Sequence, residues 1–129
     1  MKLPLLPRPL GLGLIAAVLG FALPAHAALD DPNHVVTVMQ FTAKSPESIP
    51  ELKKRMQAMR EFLRKQPGYV ENALFENRNP QTSPQYVGVS QWKQLKDWEN
   101  LWQGDQFQVL MRAIGEVGTV NPGVYSAVK

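Results

Sequence analysis

The sequence predicts an α+β domain: one four-stranded antiparallel sheet with helices on a single face. Three observations carry this. Runs rich in β-branched and aromatic residues at His34 to Phe41, Tyr69 to Glu76, Gln85 to Trp92 and Val124 to Val128 read as strands. Apolar stripes at helical spacing lie between the first and second runs and between the third and fourth, while only turn residues join the second to the third. The resulting order, β-α-β-β-α-(α)-β, is the ferredoxin-like split arrangement.

The first segment stands outside this domain. Lys2 and Arg8 form a basic start, Leu10 to Leu23 an apolar stretch, and Ala25-His26-Ala27 a small-residue cleavage site after the helix-breaking Pro24. These are the parts of a secretory signal peptide, which sets residues 1–27 apart from a domain at 28–129 and predicts export to the periplasm. The competing assignment, an uncleaved anchor, needs about 18 or more apolar residues, and this stretch is shorter and broken by three glycines. The chain has no cysteine. That excludes a lipid-modified anchor, a disulfide framework and a thiolate metal site.

Removing 27 of the 129 residues leaves 102, room for one domain only. Cleavage also takes Lys2 and Arg8, so 14 basic residues become 12 against 11 acidic ones, a net charge of +1. The mature part has no basic run, which argues against nucleic acid as a partner, and no membrane attachment is expected once the leader is gone.

In the first strand, Val36 and Val38 point one way while Val35, Met39 and Phe41 point the other, so both faces need cover. Ser48-Ile-Pro-Glu51 has the form of a capping box, and Ile49, Leu52, Met56, Met59 and Leu63 make the stripe of a helix over about 49–66. Pro67-Gly68 ends it, with glycine in the left-handed cap position. Asn77 to Pro84 is rich in turn residues and joins the two middle strands as a hairpin. Leu95, Trp98, Leu101 and Trp102 mark a helix over 94–103, and Gly104-Asp105 separates it from another carrying Phe107, Leu110, Met111 and Ile114, closed by Gly115. Asn121-Pro122-Gly123 reads as the turn before the last strand.

With helices on one face only, the other apolar face of the sheet needs a second copy of the chain to cover it. The expected result is a homodimer packed sheet to sheet, with Val35, Met39, Phe41, Val87 and Val89 at its centre.

The run Tyr86-Val-Gly-Val-Ser-Gln-Trp92-Lys-Gln-Leu95-Lys-Asp-Trp98, followed by Leu101-Trp102-Gln-Gly-Asp-Gln-Phe107, resembles the antibiotic biosynthesis monooxygenase family of dimeric α+β barrels. The helix exit Lys65-Gln-Pro-Gly-Tyr69 is similar to that family's as well, and the resemblance spans about residues 34 to 128. It implies a dimeric barrel and a monooxygenase acting on a quinol or other phenolic molecule without a cofactor, with haem or flavin as alternatives. For the haem-degrading branch it places Gln40 where an asparagine is used, Trp92 where a tryptophan is, and Met111 where the ligating histidine is. Two of those three differ, and Met111 lies in an apolar stripe where filling a core is the usual role.

Cofactor-free oxygenation asks the protein to bind a substrate anion, keep it dry and accept a proton. The candidates for lining such a pocket are Gln40, Asn72, Tyr86, Trp92, Met111 and Arg112. Trp92 shares a strand face with Gly88 and Ser90, whose small side chains leave room over the sheet, and a pocket between that face and the last helix would take Arg112 or Gln40 as its polar anchor. For Asn72 and Arg112 the alternative is a solvated surface group, and for Trp98 and Trp102 it is core and dimer packing. Glu71 and Glu76 face opposite sides of their strand, which gives a carboxylate dyad no support, and His34, alone in the mature part, sits at a strand entrance. The functional alternative is a non-catalytic periplasmic dimer that binds a small apolar ligand or haem, or serves as an interaction module.

Overall fold

The computed structural model describes residues 29–128; the expected leader and cleavage site fall outside them. The elements are β1 (Val35–Ala43), a short 3-10 turn (Pro46–Ser48), α1 (Ile49–Leu63), β2 (Tyr69–Glu76), β3 (Tyr86–Trp92), α2 (Leu95–Trp102), α3 (Asp105–Val117) and β4 (Gly118–Ser126). The sheet order is β2-β3-β1-β4 and every pairing is antiparallel. This is the α+β, ferredoxin-like arrangement that the element order predicts.

Local chemistry differs from expectation at four places. Ser48 makes no capping bond to the start of α1; its hydroxyl pairs with that of Ser45 at 3.0 Å, because the 3-10 turn already bends the chain into the helix. The capping interaction occurs instead at α2, where the Gln94 N–H donates to the Asp97 carboxylate at 3.2 Å. Helix α1 ends at Leu63, and Gly68, at φ 83°, serves the turn into β2; a Cβ there would run into the Asp97 carboxylate. Finally, α3 continues through Gly115 to Val117, and β4 begins directly at Gly118, running through the Asn121-Pro122-Gly123 that reads as a turn. Proline is tolerated there because β4 is an edge strand, paired with β1 alone.

The faces of β1 are also settled by cover. Val35, Thr37, Met39 and Phe41 point at the helices and are buried, with Met39 and Phe41 in the core. The open face takes Val36, Val38 and Gln40 from β1 and their partners Gln91, Val89 and Val87 from β3. Val35, Met39 and Phe41 therefore do not belong to a sheet-to-sheet interface, whereas Val87 and Val89 remain on the uncovered side. Both faces of β1 are apolar, so alternation alone could not tell them apart. The helices decided it by covering one.

Helix α1 contributes Leu52, Met56, Met59 and Leu63 to the core, α3 contributes Phe107 and Ile114, and α2 contributes Trp98 and Leu101. A ring of polar contacts ties α1 to α3. Arg55 pairs with Glu116 at 2.7 Å and Glu51 at 3.1 Å and donates to the Ala113 carbonyl at 2.6 Å. The hydrogen bond to Glu116, then that to Glu51, holds its guanidinium above the ordinary value.

Candidate functional site

The helix-facing side of the sheet is filled differently at its two ends. At one end Trp92 is fully buried and packs against Tyr69 and Trp98 with ring centroids 6.1 and 5.9 Å apart. Trp98 and Trp102 both continue to Phe107, at 5.9 and 4.9 Å. The Trp92 indole N–H donates to the Thr37 hydroxyl at 3.1 Å, so its polar end is satisfied inside the core. This end is packed solid by aromatic rings. The tryptophans make a core cluster, and only Trp98 and Trp102 reach a shallow surface depression beside Val124.

Over Gly88 and Ser90 the same face is open. Gly88 presents no side chain, and a Cβ there would just touch Phe41 and Leu74. Between this part of the sheet and α1 lies a cleft walled by Met39, Met56, Met59 and Leu74, with Arg60, Asn72 and Ser90 as its polar groups. Its free space is about 30 Å³, room for a water or two. It adjoins an outer groove of about 250 Å³ beside Lys53, Glu76 and Tyr86, and the two share Met56, Arg60 and Leu74 as walls.

A bulge aims Asn72 into this cleft. Tyr69 pairs with Trp92 and Glu71 with Gln91, which leaves Val70 without a partner in the ladder. The extra residue reverses the alternation, so Tyr69 and Asn72 share the helix-facing side although three positions separate them. Asn72 then accepts a hydrogen bond from Arg60 Nε at 3.0 Å.

The sequence candidates thus divide. Asn72 borders the cleft and Tyr86, buried, borders its outer groove. Trp92 lies on the same sheet face but in the aromatic cluster, not in the wall of the cleft. Gln40 is exposed on the opposite face of the sheet. Met111 is half-buried against the core, and Arg112 is exposed on α3, whereas the cleft is closed by α1. A pocket against the last helix with Arg112 or Gln40 as anchor is therefore corrected to a cleft against the first helix, with Arg60 as its cation. The room over Gly88 and Ser90 is legible in the strand. Arg60 is hard to single out because it is one of several charged side chains on α1, and the signal that could have found it is its position one residue after Met59 and four after Met56, on the edge of the apolar stripe.

Two other sequence features take their places. His34 Nδ1 shares a hydrogen bond with the Gln91 side chain at 3.0 Å and its Nε2 lies 3.7 Å from Asp31, at the far end of the open face. Glu71 and Glu76 pair with Gln91 and Tyr86 and so face opposite sides of β2. Among the described residues, no group of three or more His, Cys, Asp or Glu side chains is placed to hold a metal ion.

No protein-family model and no curated protein matches this sequence, so the comparison rests on shape. The cofactor-independent oxygenase SnoaB from Streptomyces nogalater superposes with a TM-score of 0.66 at 21% identity, over 75% of this chain and 95% of that one. A protein provisionally assigned as an antibiotic biosynthesis monooxygenase, from Nitrosomonas europaea, gives 0.62 at 11% identity over 76% and 93%. The fold is that of the antibiotic biosynthesis monooxygenases. A protein of Bacteroides fragilis NCTC 9343, described as dimeric with a ferredoxin-like fold, gives 0.62 at 13% identity over 73% of this chain and 96% of that one.

Proposed function

We propose that this chain is an exported, cofactor-independent oxygenase of the antibiotic biosynthesis monooxygenase type, acting as a homodimer on a quinol or other phenolic molecule. The observation that carries this is the cleft over Gly88 and Ser90, apolar in its walls and provided with Arg60, Asn72 and Ser90, on a fold shared with a cofactor-independent oxygenase. An apolar site with a few placed polar groups suits a flat organic substrate. The chemistry needs little from the protein: a quinol and dioxygen give a hydroxyquinone and water, one oxygen atom entering the ring and the other leaving as water, with all four electrons from the substrate. The residues present can hold the ionised substrate and exclude solvent.

Dimerisation through the open face is supported by its composition. Val36, Val38, Val87 and Val89 are half-buried there, with Phe75 and Tyr125 more than half exposed beside them. Side chains of this kind gathered on one sheet face form an apolar patch of the sort that marks an interaction surface.

The test is oxygen uptake by the purified dimer with a panel of quinols, read together with thermal shift. Uptake with at least one quinol is the expected result; a folded dimer that consumes no oxygen and is stabilised by none defeats the oxygenase reading. A specific observation favours the second reading, a non-catalytic binding or interaction dimer: the free space of about 30 Å³ is far below the few hundred Å³ of usual ligand pockets. Export predicts an N-terminus at Ala28 in protein recovered from the periplasm. Edman sequencing of that fraction checks it, and an intact Met1 in the membrane pellet would contradict it.

A further inference from the structure

Helix α1 carries two half-buried arginines, and the structure uses them differently. Arg55 is neutralised by Glu51 and Glu116. Arg60 instead donates through Nε to the neutral amide oxygen of Asn72, and among the described residues no carboxylate stands within ion-pair distance of it. That single bond fixes the plane of the guanidinium and leaves its two terminal nitrogens, an end-on pair spaced to match the two oxygens of a carboxylate. Arg60 is also the polar wall common to the inner cleft and the outer groove, where Lys53 adds a second cation against the one carboxylate of Glu76. Inward from it the walls are apolar apart from Asn72 and Ser90.

We propose that Arg60 anchors a carboxylate carried by the ligand, so that the cleft takes a flat apolar molecule with one carboxylate, its head on Arg60 and its body over Gly88. This rests on the reading of the cleft as a ligand site and narrows it. Binding displaces Met56 and Met59, whose unbranched thioether side chains repack readily.

Isothermal titration of the wild-type protein with 2-naphthoate and with the nearly isosteric 2-naphthamide tests this without any turnover. The expected result is a preference of about tenfold or more for the acid, the scale of charge-assisted hydrogen bonds. Arg60→Gln should abolish the preference while retaining the amide affinity and the melting temperature, and Arg60→Lys should restore only part of it, because a point charge replaces the fork. Arg64→Gln, which removes an exposed charge one residue beyond the end of the same helix, should leave the preference intact. Equal affinities for the two compounds, binding of neither, or a preference that survives Arg60→Gln would overturn the proposal. A protein that prefers the acid yet consumes no oxygen with quinols keeps the carboxylate site and loses the oxygenase reading; one that oxidises neutral quinols without that preference does the reverse.

Discussion

Replacing Trp92 by alanine is expected to cost about 3–5 kcal/mol of folding free energy, the range for truncating a large buried aromatic ring. Trp92 has no exposed surface, lies between Tyr69 and Trp98, and donates to Thr37. A domain of this size has on the order of 5–15 kcal/mol in total, so the variant sits near the edge of folding. Trp92→Phe keeps most of the ring contacts and leaves the Thr37 hydroxyl with only the 3.5 Å Ser90 carbonyl contact, a loss of about 1 kcal/mol. Urea denaturation followed by circular dichroism measures both. The Phe variant should also keep its ligand affinity and any oxygen uptake, since Trp92 is outside the walls of the cleft. A Trp92→Ala protein as stable as wild type would show that the aromatic cluster does not hold this end of the sheet. A fully stable Trp92→Phe protein that lost ligand binding would return Trp92 to the site.

The second large effect concerns assembly. Val89→Asp places a carboxylate on the open face, where it is half-exposed in a monomer but buried and unpaired in a sheet-to-sheet dimer. Burying an unpaired charge costs several kcal/mol, so light scattering at micromolar concentration should report a folded monomer in place of the dimer. Phe41→Asp should behave differently. Phe41 is 3% exposed and lies under the helices, and this variant should unfold rather than dissociate. If wild type is itself monomeric, or if Val89→Asp stays dimeric, the open face is not the interface.

The contrast between Val89 and Phe41 shows where local pattern stops being informative. Strand β1 is apolar on both sides, so its alternation is visible while the direction of each side is not. In β2 the alternation itself is broken by Val70, and only the pairing of Tyr69 with Trp92 and Glu71 with Gln91 reveals that Asn72 turns toward the cleft. The cation of the cleft is hidden in the sequence for a related reason. Arg60 and Arg112 are both helical arginines near methionines, and choosing between them requires knowing which helix lies over Gly88.

By itself the sequence determined the order of elements, the left-handed turn at Gly68, and the shared face of Tyr86, Gly88, Ser90 and Trp92. These follow from residue spacing and backbone sterics, which act over a few positions. The tertiary structure alone decided which face of β1 the helices cover, that β4 runs through Pro122 as an edge strand, and that α1 rather than α3 closes the cleft. Those outcomes depend on contacts between residues far apart in the chain, such as Arg60 with Asn72 and Trp92 with Thr37, and the free energy of such contacts exists only once the sheet has assembled.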